Sequence, residues 1–112
     1  MSAKELLTGI QANLGKLAKV NPGLAKSFMQ DFVPKSLADG ALTHREKELI
    51  ALGIAIQSNC DYCIAMHVKK ALDAGISKEE IGEVCGVAVL MGGGPALMYS
   101  ARAMEILDEL TS

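Results

Sequence analysis

The stretch ELIALGIAIQSNCDYCIAMH, Glu48 to His67, decides how this chain folds. From Leu49 to Ile56 it is apolar on every side, which in a helix means burial all round rather than one wet and one dry face. Ser58 and Asn59 then supply turn and cap chemistry. The reading is a helix that ends near Gln57, a tight reversal, and a second helix that starts at Asn59 or Cys60 and runs antiparallel to the first. Residues three, four and seven apart return to one face of a helix, so Cys60, Cys63 and His67 form one stripe with Cys60 in the first turn. The free N–H groups and dipole of a helix N-terminus favour an anion, here a thiolate. Glu48 lies about as far below the reversal on one helix as His67 does on the next, so antiparallel packing should set the two side by side.

Working outward, the flanking segments are helical as well. Ser2 with Glu5, Thr43 with Glu46 and Ser77 with Glu80 each have capping-box spacing. Leu6, Leu7, Ile10, Leu14 and Leu17 follow the first box at helical intervals. Asn21-Pro22 pairs a cap residue with a proline at the first helical position, and Leu24, Phe28 and Phe32 give that helix an apolar stripe, which Pro34 should end or bend. The cysteine helix runs to Gly75, a C-terminal cap. After Ser77 come Ile81, Val84, Cys85, Ala88 and Val89, until Met91 to Pro95 breaks the pattern and Pro95 opens a last helix. Period-two alternation is missing throughout. The expectation is an all-α, single-domain bundle of about six helices over residues 1–112, built on a central antiparallel pair.

Composition narrows the function. Half of the 112 residues are hydrophobic and 21% charged, more apolar surface than a small chain hides alone, so a homo-oligomer is expected. A net charge of −2 without a basic patch speaks against nucleic acid. No signal-peptide pattern or membrane-length apolar run is present, which points to a cytoplasmic protein with no membrane partner. Three cysteines without a secretory signal are no disulfide framework, and a redox or metal role suits the CxxC better.

Each feature has a plainer reading. Cys60 and Cys63 could be inert core thiols in a binding or scaffold protein. They could also hold zinc, but then Cys85 or Glu48 would have to serve as the fourth ligand. Glu48 alone would be a solvated carboxylate near a helix start, His44 a surface residue and Cys85 a packing residue. The triple glycine lacks the Lys-Ser/Thr of a phosphate-binding loop and reads as a helix break. Neither a cofactor-binding motif nor a complete metal-ligand set is expected.

Glu48, then Cys60-x-x-Cys63-x-x-x-His67, Gly75-Ile76-Ser77 and Glu79-Glu80-Ile81, together resemble the alkylhydroperoxidase D-like (AhpD-like) branch of the carboxymuconolactone decarboxylase family from about Pro22 onward. The resemblance implies an all-helical fold, assembly as a homotrimer or homohexamer, and thiol-dependent reduction of a hydroperoxide. A separate thiol, lipoyl or thioredoxin-like, would restore the dithiol. By position, Cys60 and Cys63 are the implied redox pair and Glu48 with His67 the proton relay. The decarboxylase branch generally lacks the dithiol. Tyr62 stands where the better-characterised AhpD proteins carry a second histidine, and a phenol is a poor base near neutral pH, so Tyr62 is a candidate modulator.

Overall fold

The computed structural model describes all residues, Met1–Ser112, as six helices without strands. Helix α1 is Ala3–Val20. Helix α2 is continuous but changes pitch, from Pro22–Leu24 through a π-helical Ala25–Phe32 to Val33–Leu37. Helices α3, α4, α5 and α6 are His44–Gln57, Asp61–Asp73, Lys78–Gly92 and Gly94–Thr111.

All three capping boxes form, at Ser2/Glu5, Thr43/Glu46 and Ser77/Glu80, so α1, α3 and α5 start where their sequences place them. Asn21 caps α2 through its side-chain oxygen, 3.2 Å from the Leu24 nitrogen. Gly75, with φ +80°, ends α4 by turning the chain so that the Ile76 N–H reaches back to the Ala71 carbonyl at 3.0 Å. Ile76 is then buried and Ser77 caps the next helix. That is the physical content of the Gly-Ile-Ser motif.

The core is one cluster shared by five helices. Leu52 and Ile56 of α3, Ile64 and Val68 of α4, Ile81 of α5 and Ile106 of α6 are fully buried, and Ala3 and Leu6 of α1 join them. Helix α3 packs against both α4 and α5, while α4 also meets α1 and α6. The cysteine helix is therefore held from three sides.

Two boundaries differ from expectation. Of the two outcomes expected at Pro34, an end or a bend, the end does not occur, and α2 stays helical to Leu37. Ahead of Pro34 the turn widens, with the Val33 N–H bonding the Phe28 carbonyl five residues back. A proline ring clashes with the carbonyl four residues earlier in an α-helix, and the wider π turn makes room for it. Helix α4 starts at Asp61, one residue later than the latest start expected, because Asn59 takes the left-handed conformation, φ 56°, to reverse the chain. Cys60 is thus the cap rather than a first-turn residue. Asparagine tolerates that conformation better than residues with a plain Cβ. We predict that Asn59→Ala lowers stability by about 1 kcal/mol in denaturant titration, whereas Asn59→Gly leaves it unchanged or slightly raised.

Candidate active site

The left-handed Asn59 delivers Cys60 in an extended conformation, φ −116° and ψ 107°, at the N-cap of α4. Its Sγ accepts a hydrogen bond from the Cys63 N–H at 3.2 Å, the role that a serine or aspartate oxygen plays at other helix starts. Cys60 and Cys63 are joined as a disulfide across a Cα–Cα distance of 5.2 Å, and both are half-buried. In the reduced protein the same N–H would stabilise a thiolate on Cys60, because a hydrogen bond to the charged form favours it.

Asp61, beside Cys60, would work against that charge. Its carboxylate lies 3.7 Å from the Arg102 Nε of α6. Arg102 also pairs with Glu105 and donates to the Met1 carbonyl at 2.6 Å, so the start of α4 is fastened to the N-terminus of the chain and to the last helix. Nothing local in the sequence marks Arg102. It belongs to no motif, and its partners are distant along the chain.

Glu48 is the most deeply buried charged residue, 1% exposed, and neither carboxylate oxygen meets a hydrogen-bond donor of the protein. His67 projects from α4, which packs on α3, the helix that carries Glu48. The imidazole is half-buried and its Nδ1 also lacks a partner. Burial pushes the His67 pKa below its ordinary value, and the charge of Lys70 adds to the effect. No direct hydrogen bond or ion pair joins Glu48 to His67 in this structure.

Tyr62 points away from the cysteine stripe toward α1. Its hydroxyl accepts from the Asn13 Nδ2 at 3.2 Å, and a Cβ on Gly9 would come within 3.2 Å of the same oxygen. The phenol thus occupies the notch that Gly9 leaves in α1. Nothing in the sequence singles out Gly9 or Asn13, because a lone glycine and asparagine on an amphipathic helix carry no local signal.

The remaining candidates lie elsewhere. Cys85 is a buried free thiol on α5, its pKa raised by burial against a smaller opposing effect of the Ser100 hydroxyl. His44 is exposed, with its Nδ1 2.7 Å from the Leu37 carbonyl, and ties down the α2–α3 loop. The triple glycine makes the α5–α6 corner. Gly93 has φ +67°, and the Gln57 side chain lies so close over Gly92 that a Cβ there would displace it. No three His, Cys, Asp or Glu side chains converge as a metal-binding group.

A six-helix bundle with a cysteine pair at the start of its central helix and a buried acid on the helix before it defines a narrow class of protein. The model of the carboxymuconolactone decarboxylase family matches residues 24–105. An uncharacterized protein of Cupriavidus necator is 35% identical over 109 residues, covering 97% of this chain and 96% of its own. An uncharacterized protein of the cox locus of Paracoccus denitrificans is 35% identical over 88% of each chain. The crystal structure of an apo carboxymuconolactone decarboxylase family protein from Legionella pneumophila superposes with a TM-score of 0.92 at 35% identity, over 98% of this chain and 97% of that one. The chain belongs to the carboxymuconolactone decarboxylase family, and its fold is the AhpD-like one.

Proposed function

We propose that this protein is a thiol-dependent peroxidase or disulfide oxidoreductase, in which Cys60 and Cys63 cycle between dithiol and disulfide and Glu48 with His67 relays the proton. The carrying observation is the Cys60–Cys63 disulfide at the N-terminus of α4. The proton groups are the buried carboxylate of Glu48 and the half-buried imidazole of His67, which stand on adjacent packed helices with hydrogen-bonding capacity to spare.

In the forward reaction, one thiol gives its proton to His67 and the thiolate attacks the terminal oxygen of a hydroperoxide. The S–O bond forms, the O–O bond breaks, and the departing alkoxide takes the proton and leaves as an alcohol. The second thiol then attacks the sulfenic sulfur, the S–S bond forms and water is released. An external dithiol, of lipoyl or thioredoxin-like class, reduces the disulfide by exchange and is itself oxidised. No resident cofactor enters any of these steps. The working form is a homo-oligomer, a trimer or hexamer, and the site of action the cytoplasm. No helix is long and apolar enough to cross a membrane.

Brief treatment of the reduced protein with one equivalent of hydroperoxide should lower its mass by two hydrogens, with both cysteines in one disulfide-linked peptide. Cys60→Ser and Cys63→Ser should each abolish that product. Thiols that stay unreacted, or that oxidise only slowly to sulfonic acid, would favour the inert-scaffold reading.

A further inference from the structure

One ion pair alone crosses from α4 to another helix, and it ends on the residue next to the cap cysteine. Asp61 is the first residue of α4, directly after Cys60. Its carboxylate suits the helix dipole, which favours an anion in the first turn. The same carboxylate competes with a thiolate on Cys60, because a like charge nearby disfavours ionisation. Left alone, Asp61 would hold the dithiol back.

Arg102 answers that charge from the middle of α6. Its side chain is 17% exposed, against 49% for Lys69 and 77% for Lys35, the lysines of the two pairs formed within single helices. A loosely held surface cation contributes little, but this one is fixed along its other edges. Its Nε faces the Asp61 carboxylate at 3.7 Å, Nη1 binds Glu105 one turn further along α6, and Nη2 donates to the Met1 carbonyl at 2.6 Å. The guanidinium is planar, so the two outer contacts set the direction of the third. Met1 is itself a firm anchor, since the Ala3 N–H bonds the Glu109 carboxylate at 2.8 Å and ties the start of α1 to α6.

The other helices packed on α4 supply no such charge. From α1, Tyr62 receives the neutral amide of Asn13, and α3 brings Glu48, whose carboxylate is without a donor. His67 stands two turns further along α4 itself. We propose that Arg102 is a positioning residue for the dithiol, whose guanidinium neutralises Asp61 and pins the first turn of α4 so that Cys60 can carry the negative charge the reaction needs. The inference rests on the dithiol reading of the site and adds to it which sulfur is ionised and which distant side chain makes room for the charge.

The test is the pH dependence of alkylation of the reduced protein by iodoacetamide, read by mass spectrometry at the Cys60 peptide so that Cys63 and Cys85 are scored apart. Arg102→Gln should move the Cys60 inflection upward by about half a unit or more, which leaves about threefold less thiolate at pH 7. Arg102→Lys keeps the charge and should recover most of the wild-type profile. Asp61→Asn added to Arg102→Gln removes the unopposed carboxylate and should return the inflection to the wild-type value or below. A purely structural role would not be reversed in this way, because asparagine restores none of the contacts that Arg102 made. An unmoved inflection in Arg102→Gln overturns the proposal. So does a raised one that Asp61→Asn fails to bring back, which assigns the effect to a loosened helix start. If circular dichroism shows Arg102→Gln unfolded, Asp61→Asn alone decides: at this exposed position it should lower the Cys60 inflection below that of the wild type, and an unmoved value overturns the proposal. No peroxide enters the measurement. A protein that shows the Arg102 dependence but no loss of two hydrogens on peroxide treatment keeps the positioning role and loses the peroxidase reading.

Discussion

His67→Ala should slow the reaction of the reduced protein with hydroperoxide by about 10²-fold or more at neutral pH without unfolding it. A thiol at its reference pKa near 8.5 is only a few per cent ionised at pH 7, so a fast dithiol needs a base. The helix start and the Cys63 N–H help Cys60 toward the thiolate, but neither can accept the proton. His67 can, because burial and the nearby Lys70 charge hold its pKa below 6.5 and leave the ring neutral at pH 7. The wild-type rate should therefore fall as pH drops below 6.5 through that lowered value, an inflection absent from His67→Ala. Stability should move the same way. Between the folded value and 6.5 the unfolded chain binds the extra proton, so the folded protein loses stability as pH falls across that interval and loses no more below it. Stopped-flow kinetics across pH 5 to 8 measures the first effect. Equal rates for wild type and variant would remove His67 from the relay.

Glu48→Met should have two opposite effects, a more stable protein and a slower one. The carboxylate is fully buried without a protein donor, and an unsatisfied buried polar group costs about 1–3 kcal/mol. Methionine fills similar space with no such demand, so stability should rise by about that amount, and the melting temperature by roughly 4–8 °C for each kcal/mol in a domain of about 100 residues. Glu48→Gln keeps the shape and a polar end but removes the carboxyl group's capacity to take up and release a proton. Both variants should slow the thiol reaction by about tenfold or more, as expected when general-base assistance is weakened. Such trade-offs between stability and activity are common where an active site carries a strained or unsatisfied group. A destabilised, fully active Glu48→Met would mean that the carboxylate serves the fold instead.

Much of this architecture could be read locally. The capping boxes at Ser2, Thr43 and Ser77, the Asn21-Pro22 start and the Gly75 stop all act within a few residues of themselves, and each forms as its spacing implies. Burial of Leu52, Ile56, Ile64 and Val68 follows from the unbroken apolar run and the helical period. Three things were not legible, for distinct reasons. The π turn before Pro34 is one of several ways for a helix to absorb a proline, and sequence does not choose among them. The shift of the cap to Cys60 depends on Asn59 entering the left-handed region, which asparagine permits but does not dictate. Arg102 on Asp61 and Asn13 on Tyr62 join residues far apart in the chain, which only the tertiary fold brings together.

That Cys60 is both the cap of α4 and half of the disulfide gives the protein a built-in reporter. Sulfur accepts the Cys63 amide proton in the oxidised state, and a thiolate in the same place is a stronger acceptor. The amide resonance of Cys63 should shift downfield on reduction and its exchange with solvent should slow, while amides in the middle of α4 stay put. Turnover could then be followed in nuclear magnetic resonance spectra at a single backbone position, without a dye, a coupled enzyme or any label on the thiols themselves.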